Sequence, residues 1–279
     1  MLLEELQNIV LENLENKENR KDFLKNLLKE YLQLIGLEFI YNSKYSFLIF
    51  KGGSCLRVCF DLPRLSEDLD FDYPKKLETR NFFEDLINYF KKEKNFPQLE
   101  TKISKERLYL KFPVLKELKI AQKNESDRLY LKIELAKTKE CSFKTELDSI
   151  FKQGFSFLLK RYSQEDLMAG KICAVLERVW FKGKKSEIKV KGRDFFDLYW
   201  FMKQKVIPNY NCVFYQNRQI SPREIWDLIE KKIEKINPYD LRYDLLPLIK
   251  DQNFVKQLSS NFKSLIKKEI KFYKNLKNF

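Results

Sequence analysis

The sequence predicts an α+β protein, with a small mixed sheet flanked by helices over residues 1–160 and a helical region over 161–279. Three observations predict it. Apolar residues recur at helical spacing near both ends of the chain. Short apolar or alternating runs between residues 45 and 135 have the two-residue period of strands. Helix-start signals then dominate beyond residue 163.

The first forty residues read as helix. Leu3, Leu6, Val10 and Leu14 share one stripe, and Phe23, Leu27, Leu28, Tyr31 and Leu32 form the next. Residues 45–50 (YSFLIF) suit a strand that Lys51-Gly52-Gly53-Ser54 breaks. A short helix through Leu56 and Phe60 follows, ending at Leu62-Pro63. Residues 68–73 (DLDFDY) alternate acidic and apolar side chains. Phe82, Phe83, Leu86, Ile87 and Phe90 mark a helix over 77–93. Residues 108–112 and 129–135 read as further strands. Ser163 and Ser221 each open a capping-box pattern, the second with Pro222 at the first helical position. In the tail, Phe262, Ile266, Ile270 and Tyr273 fall at helical spacing, so that segment packs on something.

Composition narrows the chemistry. Hydrophobic residues at 44% and charged residues at 34% provide for both a core and a solvated surface. There is no histidine, which excludes Ser-His and Cys-His nucleophile pairs, His-ligated zinc and an imidazole base. Cys55, Cys59, Cys141, Cys173 and Cys212 are odd in number and irregularly spaced, and read as buried thiols without a disulfide framework. Glu4 and Glu5 disagree with the basic start of a signal peptide, and no uncharged apolar run spans a membrane. A cytoplasmic protein with no membrane association is therefore expected. The formal net charge of +14 favours a polyanionic partner. Residues 181–193 carry a net +5 and 255–279 a net +6, so the charge gathers in the second half. Phosphate-backbone contact with RNA and a solvated amphipathic helix both fit the tail.

Two features suggest a site. A Gly-Gly-Ser turn entering a helix offers backbone N–H groups to phosphate, although alone it is an ordinary turn. Asp68 and Asp70 lie two apart on a strand and so face the same way. Two such carboxylates repel unless a cation or solvent intervenes, and Mg²⁺ is bound by carboxylate and phosphate oxygens. The competing reading is a solvated edge strand, which Asp72 would continue. In the second half, Lys171 and Arg178 lie two helical turns apart, and Asp194 and Asp197 share a helix face. They fit either a triphosphate site or a structural ion-pair network.

These strings resemble a known superfamily. Gly53-Ser54, thirteen intervening residues and Asp68-Leu69-Asp70 are similar to the hG[GS]-x(9–13)-Dh[DE]h signature of the nucleotidyltransferase (polymerase-beta-like) fold. KGGSCLR with RLSEDLDF, through Arg64, Ser66 and Phe71, resembles the AbiEii/AbiGii toxin family more closely still. Leu167, Lys171, Ala174 and Arg178, then Arg193, Asp194, Asp197 and Leu198, match its second-half pattern. The resemblance implies that Asp68, Asp70 and Glu134 hold one or two Mg²⁺ ions. It implies that Gly53, Ser54 and Lys171 bind a nucleoside triphosphate, and that Asp194 belongs to the catalytic site while Arg178 and Asp197 brace it. It further implies a toxin of a toxin–antitoxin or phage-defence (abortive infection) pair, with a cognate antitoxin and a tRNA or other RNA acceptor. A structural ion pair with a lysine remains a competing role for Glu134. A protein-modifying nucleotidyltransferase and a non-catalytic RNA-binding module stay open as functions, whereas a drug-modifying enzyme fits poorly because cationic drugs favour an acidic cleft. Phosphorylation of Ser66 would put negative charge beside the carboxylates.

Overall fold

The computed structural model describes residues 1–14, 21–138, 141–178 and 191–276. The chain divides into two compact units, Met1–Lys139 with Thr145–Arg161, and Glu140–Lys144 with Tyr162–Phe279. It has the α+β architecture read from the sequence: a mixed sheet with helices, followed by a helical region.

The first unit begins with helices α1 (Leu2–Leu14) and α2 (Lys21–Tyr41). Strand β1 (Ile49–Lys51) is shorter than the apolar run predicts, because residues 43–47 turn through Ser46 N–Ser43 O and Leu48 N–Tyr45 O hydrogen bonds. Helix α3 (Gly52–Phe60) and strand β2 (Asp68–Tyr73) follow, then α4 (Thr79–Asn88), which runs on into a π-helical turn over Tyr89–Glu93. Strands β3 (Glu100–Ser104), β4 (Arg107–Pro113), β5 (Arg128–Lys137), β6 (Thr145–Lys152) and β7 (Phe155–Tyr162) complete the sheet. The strand order is β3-β4-β5-β2-β1-β7-β6. Strand β2 pairs antiparallel with β1 and parallel with β5. It is therefore a central strand, not the solvated edge that its alternation allowed.

One face of the sheet is apolar. Leu69 and Phe71 of β2, Leu108, Leu110 and Phe112 of β4, and Leu129, Leu131 and Ile133 of β5 are all buried. Helix α2 lies on that face, with Gly36 against Leu69. Phe112 is fully buried between Phe90 and Phe96, each with its ring centroid 5.4 Å away. Alternate residues of β2, β4 and β5 point the other way and are mostly part-exposed, Asp72 being buried. An antiparallel hairpin on a half-covered sheet imposes this alternation.

The second unit contains α5 (Gln164–Glu177), α6 (Gly192–Lys203), the two-residue strands β8 (Phe214–Tyr215) and β9 (Arg218–Gln219), α7 (Pro222–Glu234), α8 (Pro238–Leu245) and α9 (Gln252–Lys274). Both predicted caps form: Ser163 accepts from Asp166 N and Ser221 from Glu224 N. Phe262, Ile266, Ile270 and Tyr273 are buried, as the tail's spacing requires. Tyr273 stacks on Trp226 at 4.6 Å and donates to Val206 O. The cysteine reading needs correction. Cys141 and Cys212 form a disulfide, with Cα atoms 5.9 Å apart. Sequence spacing hides it because 141–144 reaches the 209–212 segment only through tertiary bonds, from Lys144 N to Asp166 and from Asn209 Nδ2 to Ser142 O and Asp166. Among the described residues no helix is long and apolar enough to cross a membrane.

Phe112→Ala should cost about 3–5 kcal/mol, because it removes a fully buried ring from two aromatic neighbours. Urea unfolding of the full chain measures it.

Candidate active site

Strand register assembles the acidic face. Asp70 of β2 is the register partner of Glu134 on β5, and Asp68 is the partner of Lys132. Register partners lie on the same face, so Asp68, Asp70 and Glu134 come together although 64 residues separate Asp70 from Glu134. Cations interleave with them. Lys132 Nζ lies 3.0 Å from Asp68 Oδ2 and 3.0 Å from Glu134 Oε1. Arg107 Nε lies 2.8 Å from Glu134, and Lys51 Nζ 2.5 Å from Asp72. Asp72 is therefore a buried partner of Lys51 rather than a solvated residue. Among the described residues Asp70 alone of these four acids has no ion pair. Burial, and then the charges of Asp68 and Glu134, push its carboxyl up to about 6. Burial pulls Lys132 down, but Asp68 and Glu134 outweigh it and leave its ammonium raised.

The Gly-Gly turn is fitted to these acids. Gly52 has φ +80°, and a Cβ there would overlap Asp70 Oδ2. A Cβ on Gly53 would sit 2.5 Å from Arg64 Nη2 and 3.2 Å from Ser66 Oγ. Arg64 and Ser66 thus lie beneath the turn, both buried, with Arg64 Nη1 donating to Leu65 O at 2.8 Å. This explains their place in the motif. It also removes the phosphorylation idea, since Ser66 is only 7% exposed and no kinase could reach its hydroxyl without opening the turn. The Ser54 hydroxyl is buried with no hydrogen-bond partner among the described residues. It stands in the first turn of α3, where backbone N–H groups are unsatisfied. These are donors suited to a phosphate.

The metal expectation has a qualified outcome. Among the described residues no three carboxylate or thiol side chains converge as a metal-binding group. The Lys132 ammonium occupies the space between Asp68 and Glu134. The donor set nevertheless fits a hard cation. It consists of carboxylate oxygens, and it already holds an ammonium as a stand-in cation. The pKa of its remaining carboxyl, Asp70, is raised by burial first and then by the charges of Asp68 and Glu134, and a bound cation would offset both.

The second unit brings together the other predicted residues. Lys171 Nζ lies 3.0 Å from Asp194 Oδ1 and 2.8 Å from Asp197 Oδ2. Arg178 also pairs with Asp194. Asp194 and Asp197 are buried, so the ion-pair network left open by the spacing is present. Burial pushes the Asp194 carboxyl up, but Lys171, Arg178 and Lys191 outweigh that and hold it well below the usual carboxylate range. Arg193 braces the neighbouring helix through Asp244, at 3.2 Å from its side chain and 2.9 Å from its backbone N–H. Most of the basic 181–193 stretch lies outside the described residues. On α9, Lys263 donates to Glu234 O, and Lys274 pairs with Asp227 and Glu230 at 2.6 Å. Part of the tail's charge is thus neutralised locally.

Sequence reasoning missed Lys132, Arg107 and Lys51 as members of the first site. Lys132 was within reach, because it stands two residues before Glu134 on the same strand face. Arg107 and Lys51 enter only through register with other strands.

This fold, with a Gly-Gly turn against strand carboxylates, is that of a nucleotidyltransferase. The profile of the family described as "Nucleotidyl transferase AbiEii toxin, Type IV TA system" matches residues 41–272. The chain belongs to that family. Membership implies a nucleotide substrate and an antitoxin partner. A crystal structure assigned as a nucleotidyltransferase from H. pylori aligns at 19% identity and TM-score 0.48, covering 91% of this chain and 98% of that one. The JHP933 structure from Helicobacter pylori aligns at 18% identity and TM-score 0.46, covering 89% and 93%. No curated protein sequence matches the chain significantly.

Two outcomes test this geometry. Gly52→Ala should destabilise the fold by about 1–3 kcal/mol, from the positive φ and the overlap with Asp70; the denaturation midpoint reports it. Folding lowers the proton affinity of Asp194, so its ion pairs stabilise fully above an ordinary carboxylate pKa of about 4 and are lost as pH falls through the lower native value. Asp194→Asn should therefore cost about 3 kcal/mol at pH 7, with a smaller difference from wild type near pH 2, by thermal unfolding across pH.

Proposed function

We propose that this chain transfers a nucleoside monophosphate from a nucleoside triphosphate to a hydroxyl of an RNA acceptor such as tRNA. The observation that carries the reading is the placement of Asp68, Asp70 and Glu134 on one face of two adjacent strands, with Gly52 against Asp70. An O–P bond forms between the acceptor oxygen and the α-phosphorus as the bond to the β-phosphate bridge breaks, and pyrophosphate leaves. Glu134 or Asp70 takes the hydroxyl proton. Backbone N–H groups at Gly53 and Ser54, with the Ser54 hydroxyl that has no partner among the described residues, hold phosphate oxygens. Asp68 and Asp70, with Glu134, would hold one or two Mg²⁺ ions, which when bound offset charge on the phosphates. We assign Lys171 as a phosphate ligand and Asp194 as the site residue that positions its ammonium.

The net charge of +14 supports a polyanionic acceptor. An acidic protein acceptor would use the same carboxylates. Incubation with each labelled triphosphate, Mg²⁺, total tRNA and cell extract separates the readings. Label should enter the tRNA band and fall at least a thousandfold in Asp68→Ala; label in protein alone would replace tRNA as acceptor. Lys171→Ala should weaken triphosphate binding about tenfold by calorimetry, and unchanged affinity would remove it from the site.

A further inference from the structure

The solvent-facing side of the sheet continues outward from the carboxylates, and its register rows are ordered. One row reads Lys102 on β3, Tyr109 on β4, Lys132 on β5 and Asp68 on β2. In the next row Lys111 of β4 stands beside Tyr130 of β5. Tyr130 is 40% exposed and Tyr109 is partly exposed. These are flat rings on a strand face with no ring partner among the described residues. Lys102 and Lys111 make no ion pair among the described residues, and the nearby Glu100 is engaged by Arg128 at 2.7 Å. Tyrosines are ordinarily placed with an apolar body covered. Here Tyr130 stands open and Tyr109 half-covered, beside lysines with no ion pair among the described residues, on a face that leads to the carboxylates of the proposed site.

We infer that this face of β3, β4 and β5 is the platform for the single-stranded end of the RNA acceptor. Tyr109 and Tyr130 stack against its bases while Lys102 and Lys111 contact its phosphates. The inference rests on the RNA acceptor proposed above and deepens it by giving the acceptor a location. Base–aromatic stacking tolerates any sequence, because every base has a π-face, and lysines add sequence-independent attachment. Charge complementarity favours a polyanion, and the exposed rings favour nucleic acid over an acidic peptide. From β3 to β2 the row crosses three strand spacings, about 14 Å. That is roughly the rise of four stacked nucleotides, so a strand lying along the row delivers its terminal hydroxyl to Asp68. This differs from the charge-rich second half, where part of the α9 lysine charge is tied to α7.

Fluorescence anisotropy with a labelled eight-nucleotide single-stranded RNA tests it on the full chain, with triphosphate binding measured in parallel by calorimetry. Tyr109→Ala and Tyr130→Ala should each weaken RNA binding about tenfold or more, and Tyr130→Phe should restore it. Lys102→Ala and Lys111→Ala should each reduce the slope of log K against log salt by about 0.7. Triphosphate affinity should not change in any of them. Wild-type RNA affinity and salt slope in all four alanine variants would overturn the inference. So would equal wild-type affinity for polyglutamate, since the face would then read charge alone. If RNA binding follows the predicted pattern while wild type binds no triphosphate, the platform stands and the nucleotidyl-transfer reading falls.

Discussion

The first unit is organised around negative charge gathered on two adjacent central strands. Asp68, Asp70 and Asp72 alternate along β2, and Glu134 stands abreast of Asp70 on β5. Such a cluster persists only if cations or solvent offset it. Lys51 answers Asp72, Lys132 bridges Asp68 and Glu134, and Arg107 reaches Glu134 from the next strand. Asp70 remains without an ion pair among the described residues, against a turn that admits only glycine. Arg64 and Ser66 in turn hold Gly53 from below. The turn, the strand order and the motif spacing therefore all serve one carboxylate.

The second unit handles charge differently. Asp194 and Asp197 are more deeply buried, yet Lys171 and Arg178 meet them directly. Breaking a buried pair leaves an uncompensated charge and is strongly destabilising. That network can hold α5 against α6 whether or not Lys171 also meets a phosphate. The first site carries four acids against Lys51, Lys132 and Arg107, whereas in the second Lys171, Arg178 and Lys191 more than meet Asp194 and Asp197. A surplus of acid suits the cation site proposed above, and fully compensated acid suits a scaffold.

Much of this was legible locally. The acidic alternation over 68–73, the Gly-Gly turn and both serine caps are short-range patterns with short-range causes. The shared face of Asp68 and Asp70 followed from the strand period, while their proposed role came with the family resemblance. Glu134 needed the family resemblance, because nothing in LYLKIEL says which strand lies beside it. Register is non-local: the pairing of Asp70 with Glu134, and of Arg107 with Glu134, is decided by packing of apolar faces far apart in sequence. Strand β3 escaped notice because every residue in it is exposed, so it lacks a buried face to pattern it. The Cys141–Cys212 disulfide was hidden for the same reason as the register, since tertiary bonds alone bring its ends together.

Central to this account is that the carboxylate face has an unmet demand for a cation. Manganese binding, followed by water-proton relaxation enhancement in the presence of a nucleoside triphosphate, measures that demand directly. The account predicts one or two bound Mn²⁺ ions in the wild-type chain and none of comparable affinity in the Asp68→Asn, Asp70→Asn double variant, with both proteins equally folded. Equal Mn²⁺ binding by the two proteins would contradict it.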